Sequence, residues 1–511
     1  MSFKDRYAIN ELKAGAALNY VLIFLNALVG LLYTPYMLRM MGQSEYGLYS
    51  LVASIISYLT ILDLGFGNAI IRYTAKYRAE NRQEEQYEMF GMFFILYVFI
   101  GLLSVIIGSV LYFNVDSLFG HTMTDSELDK ARIMMIILIF NLAFTFPMSL
   151  FGSILTAYEI FVFPRIINVA RIVLNTIIMI VLLQYGFKAV AMVVVQTIFN
   201  VLTLIINYIY CKYKIGIKIY YRRFNWTFLK EVAIFSFWIL LNVLLDKVYW
   251  SSGQFVLGAV SGTIAVSVFA VAIHFQGMYM TFSAAITSVF LPKVTTMVTK
   301  NSSDEELSNL FIRTGRIQYI LMCFIICGFI VYGRPFIQLW AGQEYIDAFG
   351  ITLILFIATL VPLIQNIGFT ILQAKNQMRF RSVMYLIIAL VVLFAEIIMS
   401  KKYGGMGCAM AIGGATLLGQ GIVMNVYYKK KQKIDIYRFW IEILKMSIAP
   451  VLLVILSLFI NQYYIIDSWK ELLLGVVSFS IIYIPCVFFF SMNHSERELL
   501  LAPVRKLLHK Y

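Results

Sequence analysis

Ionisable side chains occur inside long apolar stretches of this 511-residue chain, where charge is costly. They include Asp63, Arg171, the adjacent pair Asp246 and Lys247, and His274, whereas Glu396 and Lys445 lie close enough to predicted helix ends to reach an interface. A charged side chain that faces lipid costs several kcal/mol, so each of these groups is expected to face protein or a wet cavity. The chemistry they could perform there is the binding of a charged ligand.

Several of these residues also have a structural explanation. Asp63 could pair with a nearby basic residue such as Arg72, and His274 could be a buried histidine with its hydrogen bonds satisfied. Asp246 and Lys247 point about 100° apart on a helix and therefore do not pair with each other directly. Arg171 lies about nine residues into its segment, too deep to reach an interface easily, which favours a ligand-binding role.

Motifs for enzyme chemistry are absent from the sequence. There is no G-x-x-x-x-G-K-[ST] loop for nucleotide phosphates, no H-E-x-x-H zinc motif and no G-x-S-x-G nucleophile elbow. The five cysteines lie in or at the ends of apolar runs, without the spacing of a metal site or a disulfide framework. We therefore expect no catalytic residue, no metal and no cofactor.

The composition is that of an integral membrane protein. Hydrophobic residues make up 61% of the chain and charged residues 13%, and the mean hydropathy is +0.82. Soluble proteins carry about 25% charged residues. The formal charge of +14 could indicate nucleic acid, but most Lys and Arg residues lie in the loops between apolar runs, which favours a membrane and no nucleic acid.

Runs long enough to cross a bilayer, roughly 20 residues each, occur fourteen times and predict an all-α polytopic fold. They are residues 16–38, 47–70, 89–113, 133–157, 162–184, 188–211, 230–256, 262–291, 316–333, 348–373, 382–400, 405–428, 440–460 and 470–491. Loops on one side, with both termini, hold 30 Lys and Arg residues, and loops on the other side hold 8. This bias predicts cytoplasmic N- and C-termini.

A weak internal repeat indicates two similar halves. YGFKAVAM at 185–192 and YGGMGCAM at 403–410 lie 218 residues apart. We interpret residues 1–215 as an N-lobe with helices 1–6, 216–432 as a C-lobe with helices 7–12, and 433–511 as helices 13–14 with a cytoplasmic tail. The lobes should be related by a pseudo-two-fold axis along the membrane normal. The deep charges do not recur in the other lobe, which favours a ligand-binding role.

The stretch PYMLRMMGQSEYGLYSLVASIISYLTILDLGFGNAIIRYTAKYRAEN, residues 35–81, resembles the first hairpin of Wzx-type polysaccharide flippases. These belong to the multidrug/oligosaccharidyl-lipid/polysaccharide (MOP) exporter superfamily, which includes the MATE transporters. The matching features are Pro35, the turn from Arg39 to Gly42, the run from Glu45 to Tyr49, and Asp63-Leu64-Gly65. The number of helices and the six-plus-six repeat also fit.

The resemblance implies a flippase, with no enzyme activity, in the bacterial cytoplasmic membrane. It would move undecaprenyl-diphosphate-linked oligosaccharide, the repeat unit of a surface polysaccharide or O-antigen, to the outer leaflet. The implied architecture is a V-shaped pair of bundles around a central cavity, working by alternating access. Arg171 and Lys247 are the deep cations that suit a diphosphate. Trp238, the one tryptophan away from predicted helix ends, suits a sugar. Asp246, His274, Asp63 and Arg39 complete the candidate cavity, and a glycan polymerase and a chain-length regulator are expected partners.

Gly65 and Gly67 should let helix 2 bend or pack closely near its inner end, and Asp63 should orient a basic partner there. Two other functions remain open. A cation-coupled multidrug exporter of the same superfamily would need a carboxylate cluster in one lobe, whereas Asp63 is the one deep acid of the N-lobe. A glycan polymerase or ligase would need a sizeable external loop.

Overall fold

The computed structural model describes residues 3–222, 226–300, 302–375, 377–464, 466–498 and 501. Within these ranges the regular secondary structure is helical. The first eight helices are α1 (Phe3–Met41), α2 (Gln43–Leu59), α3 (Phe66–Ala79), α4 (Gln83–Phe113), α5 (Val115–Phe119), α6 (Asp125–Ala157), α7 (Val162–Gln184) and α8 (Ala189–Ile209). The remaining eight are α9 (Trp226–Thr299), α10 (Asp304–Trp340), α11 (Ala348–Ile364), α12 (Asn366–Ala374), α13 (Arg379–Thr416), α14 (Met424–Lys431), α15 (Ile436–Asn461) and α16 (Trp469–Phe490).

Twelve helical stretches in the described part are long and apolar enough to cross a membrane, so the predicted all-α, multi-pass membrane protein is confirmed. The count of fourteen is not confirmed. In two of the twelve stretches a single helix runs through a glycine with non-helical backbone: Gly262 in α9 and Gly404 in α13. These glycines lie close to the predicted turns between spans 7 and 8 and between spans 11 and 12. The sequence therefore indicated where the helices break, but each break is one residue inside a continuous helix.

The chain divides into two compact units, Met1–Ser267 and Val268–Tyr511. In the first unit α6 packs against α3, α4 and α8, and α1 packs against α7. The interior of this unit contains polar bridges between helices: Asn200 on α8 donates from Nδ2 to Asn141 Oδ1 (2.8 Å) and Thr145 Oγ1 (2.9 Å), both on α6. Such hydrogen bonds hold helices together where lipid offers no competing partner. The lobe boundary at 215/216 remains a prediction from the repeat.

In the second unit α10 packs against α11, α15 and α16. A buried ion-pair cluster reinforces this arrangement. Arg316 on α10 donates to both carboxylate oxygens of Glu496 (2.5 and 2.8 Å), to Glu442 Oε2 on α15 (2.6 Å) and to the carbonyl oxygen of Ser491 (3.2 Å). One guanidinium therefore ties α10 to α15 and to the turn that follows α16.

The second predicted helix is interrupted where its carboxylate and glycines lie. A short 3₁₀ turn, Thr60–Asp63, follows α2, and Leu64 (φ 55°) and Gly65 (φ 70°) are both left-handed before α3 begins. Glycine adopts this conformation without the steric cost that other residues carry. Gly67 has a different part: a Cβ at this position would lie 3.2 Å from Ser153 Oγ, so α3 approaches α6 closely there. The expected bend and close packing are confirmed.

Candidate functional site

Arg171 lies in the middle of α7, about 14 Å along the axis from the first residue of that helix at 1.5 Å per residue. Its side chain is half-buried. Within the described part of the chain, no ion pair or hydrogen bond joins Arg171 to another residue. A cation held inside a membrane-spanning helix without a protein counter-ion is a group that can bind an anion.

The position of Arg171 follows from the two faces of α7. One face is apolar and exposed, with Val173, Leu174, Ile177 and Val181. The other is buried and includes Met179 and Leu183. At 100° per residue, Arg171 lies at the border between these faces.

Asn168 and Asn175 lie three residues before and four residues after Arg171, so all three polar side chains share one side of α7. The Oδ1 atom of Asn175 is buried and accepts no hydrogen bond from any described residue. A buried amide oxygen without a donor is uncommon because it loses its hydrogen bond to water. The polar side of α7 therefore offers a guanidinium and an adjacent amide to a ligand.

Lys247 lies in α9, within the first unit, and its side chain is half-buried. Like Arg171, it forms no ion pair or hydrogen bond with any residue that the structure describes. The adjacent Asp246 is exposed and has an interaction partner of its own. Trp238 lies in the same helix, and its side chain is outside the described part of the structure.

Asp63 does not have the basic partner that the sequence led us to expect. The Tyr97 hydroxyl on α4 and the Gly65 backbone N–H lie close to its carboxylate. No salt bridge joins it to a Lys, Arg or His of the described ranges. The guanidinium of Arg72 instead lies 5.7 Å from the ring centroid of Tyr73. Asp63 thus lies at the break between α2 and α3, beside neutral polar groups.

The remaining candidates lie apart from these residues along the chain. Arg39 is exposed in the last turn of α1, just before Gly42, whose φ of 79° makes the predicted turn into α2. His274 belongs to the second unit, where its ring stacks on that of Trp340 with centroids 6.2 Å apart and planes 18° apart. Among the described residues no group of three or more His, Cys, Asp and Glu side chains could hold a metal ion.

Sequence reasoning missed two sets of polar residues. Asn175 carried a usable signal, since it lies four residues from Arg171 on the same helix face. The sequence did not predict that the carboxylates of Glu45 and Glu127 each contact several helices. Glu45 forms a salt bridge with Lys130 and also accepts a hydrogen bond from the Ala189 backbone N–H (3.3 Å). Their partners lie on other helices, so the sequence gives no indication of these contacts.

The comparisons with known proteins agree with this architecture. A family model described as "Polysaccharide biosynthesis protein" matches residues 12–298. A relative named "Putative O-antigen transporter" from Shigella flexneri is 20% identical over 386 residues, which are 74% of this chain and 88% of the relative.

Two solved structures share the fold. One is described as the lipid II flippase MurJ in an inward closed conformation, with a TM-score of 0.72, 16% identity, and coverage of 94% of this chain and 99% of the other. The second is an inward-facing multidrug resistance MATE family transporter of the MOP superfamily, with a TM-score of 0.60, 15% identity, and coverage of 79% and 99%. At these identities the likeness concerns the fold alone.

Proposed function

Since the chain belongs to the polysaccharide biosynthesis protein family, we propose that it is a flippase for undecaprenyl-diphosphate-linked oligosaccharide, the repeat unit of a surface polysaccharide or O-antigen. It moves this lipid from the inner to the outer leaflet of the cytoplasmic membrane. The observation that carries the proposal is the family match over residues 12–298, joined by a relative whose name is that of an O-antigen transporter.

Arg171 and Lys247 bind the diphosphate. Both are half-buried cations inside helices, and neither is neutralised by a carboxylate of the described chain. A diphosphate provides the negative charge that they lack. The planar guanidinium of Arg171 suits a bidentate contact with two phosphate oxygens, whereas the ammonium of Lys247 acts as a point charge.

The other candidates serve the sugar and the closure of the site. Asn175 can donate its amide N–H₂ to a hydroxyl or phosphate oxygen and accept a hydroxyl proton at its buried Oδ1. Trp238 and His274 provide aromatic faces for sugar rings, and Asp246 provides an acceptor for hydroxyl groups. The closure of the site involves Arg39 and Asp63, which lie just before and just after α2. The polyprenyl tail stays in the bilayer and needs no cavity of its own.

The arrangement in the membrane follows from the charge bias. Both termini are cytoplasmic, and two six-helix lobes, residues 1–215 and 216–432, alternate the access of the site, with two further helices following. Because the sequence has no nucleotide-binding loop, the membrane potential or an ion gradient drives the cycle. A glycan polymerase and a chain-length regulator receive the product at the outer leaflet.

Deletion of the gene tests the proposal. We expect the lipid-linked oligosaccharide to accumulate in the inner leaflet, where an impermeant periodate reagent does not reach its sugars in intact cells. A plasmid copy should restore export, and so should the control variant Lys300→Ala, which changes an exposed lysine at the end of α9. The proposal would be wrong if the deletion strain exported its glycan normally and retained cationic dyes. That result would indicate a multidrug exporter.

A further inference from the structure

The turn at Gly262 is docked onto the beginnings of α2 and α6 within the first unit. Gly262 has φ 80° and ψ −177°, so the backbone of α9 leaves the helical path there. The next residue, Thr263, is 5% exposed and donates its hydroxyl to Glu127 Oε1 on α6 (2.8 Å). One turn earlier, the Gly258 carbonyl oxygen accepts a hydrogen bond from the Thr122 hydroxyl (2.6 Å). We call these contacts, with Gly47 and Ser44 of α2, the corner clamp.

Glu127 is the centre of the corner clamp. Its Oε2 accepts from the Thr124 backbone N–H (2.9 Å) and hydroxyl (3.0 Å), as the acidic residue of a capping box does. Its Oε1 serves no such local purpose, because it accepts from Ser44 on α2 (2.6 Å) as well as from Thr263. A single carboxylate therefore connects three segments that are far apart in sequence.

Gly47 allows the backbones of the clamp to approach each other. A Cβ at this position would lie 1.9 Å from the carbonyl oxygen of Thr263, a distance that no side chain can occupy. Gly258 is similar, since its Cβ would lie 2.6 Å from Leu51. Any residue other than glycine at position 47 therefore has to separate α2 from the turn at Gly262.

The contacts of the corner clamp are of a kind that can open and close. Four hydroxyl or backbone donors converge on one half-buried carboxylate at the ends of helices, where water can replace each of them. The buried packing between α6 and α8 cannot open in this way, because separation of these helices would expose apolar surface and interior amides. A reversible contact at a helix break is the type of element that a transport cycle requires.

We propose that the corner clamp is a closing contact of the transport cycle, at the end of the protein that contains the turn at Gly262. Glu127 and Gly47 are its positioning residues. This inference rests on the proposed flippase function. In the docked state Glu127 holds α2, α6 and the turn at Gly262 together, and the path past them is shut. Release of Ser44 and Thr263 from Glu127 lets the turn move away and opens that path.

The docked state can be measured without transport. Ser267 is fully buried, and its backbone nitrogen would lie 3.2 Å from a Cβ on Gly47, so Ser267→Cys places a thiol behind the clamp. The full chain in nanodiscs is treated with a polar maleimide, and the parent protein with its native cysteines serves as the blank. We expect Glu127→Gln and Gly47→Ala to raise the labelling rate of residue 267 about tenfold, as for the loss of one hydrogen bond to a charged group.

Gly152→Ala is the matched control, because a Cβ at Gly152 of α6 meets nothing within 4 Å. Its labelling rate should equal that of the Ser267→Cys protein. Glu127→Gln keeps the shape of the side chain, so it reports on the clamp even if Gly47→Ala does not fold. Unchanged labelling in Glu127→Gln would overturn the proposal.

A crosslink tests the role of the clamp in transport. The hydroxyls of Ser44 and Thr263 both contact Glu127 Oε1, so Ser44→Cys and Thr263→Cys bring two thiols close together. Oxidation with copper phenanthroline should stop flipping of a fluorescent lipid-linked oligosaccharide in proteoliposomes, and dithiothreitol should restore it. Full flipping with the crosslink in place would refute the clamp. If the unmodified protein flips no lipid while the labelling shift persists, the proposed function fails and the clamp stands as a reversible contact.

Discussion

At the scale of single residues, the surroundings of Arg171 and Lys247 favour a ligand-binding role. Arg171 and Lys247 are half-buried, and no described carboxylate lies within ion-pair distance of either. A buried cation retained only for structure would be expected to have such a partner, as Arg316 has in Glu496. The absence of a partner within the described chain is thus consistent with a ligand that supplies the negative charge.

We expect Arg171→Ala and Lys247→Ala each to weaken capture of the lipid diphosphate roughly tenfold or more, the effect of one lost charge-assisted hydrogen bond. Arg171→Lys should lose part of the activity if the contact is bidentate, and Lys247→Arg should retain it. The measurement is glycan export in the deletion strain, with membrane levels of each variant determined by immunoblot. Normal export by both alanine variants at normal levels would remove these residues from the site.

The types of the deep residues could be predicted from the sequence, but their partners could not. The sequence identified Asp63 as a carboxylate in an apolar helix and suggested a cation as its partner. The structure places the Tyr97 hydroxyl near it, 34 positions further along the chain and on another helix. Such a pairing depends on how α3 and α4 pack, which a single sequence does not specify. The same holds for Glu127, whose partners lie on α2 and α9.

At the scale of helices, apolar length was a sufficient signal for the membrane-spanning segments, because the bilayer imposes that length. The breaks were less predictable. The predicted turns lie near Gly262 and Gly404, but their form was not predicted, because each break interrupts its helix by one residue. A glycine with positive φ turns the chain within one residue, and only the three-dimensional context shows which glycine does so.

The attachment of α15 and α16 to the second unit should depend on Arg316. The Glu496 side chain is 3% exposed, so Arg316→Ala leaves a buried carboxylate without its cation. We expect a loss of about 3–5 kcal/mol in the free energy of unfolding, seen as a lower midpoint in thermal unfolding of the purified protein.

The control for this prediction is Arg438→Ala, which removes an exposed guanidinium whose hydrogen bond goes to Asn309 (3.0 Å). Its midpoint should change little, because exposed interactions contribute up to about 1 kcal/mol. If Arg316→Ala and Arg438→Ala unfold at the same temperature, the cluster does not hold these helices.

At the scale of the whole molecule, the charge bias predicts which segments face outward. The structure shows which residues of those segments are exposed and can be tested by labelling. Three exposed residues lie in segments that we assign to the outside: His121, Ser261 and Asp467. Three others are exposed in segments that we assign to the cytoplasm: Glu80, Lys218 and Lys430. Cysteines at the first three positions should react with an impermeant maleimide in intact cells. Cysteines at the other three should react only after lysis, and labelling of position 218 from outside would contradict the predicted topology.

The energy source of the cycle is the last property of the whole molecule that can be predicted. The sequence has no nucleotide-binding loop, so turnover should depend on the membrane potential or on an ion gradient. Arg171 and Lys247 carry positive charge when the site is empty. A potential that is negative inside therefore favours the empty site facing inward, with about 2.3 kcal/mol for each charge that crosses 100 mV. Flipping in sealed vesicles should change when valinomycin and potassium set the potential, and should change less in Lys247→Ala than in the control Lys300→Ala. Equal rates at every potential and in every ion gradient would show that the cycle is not driven in this way.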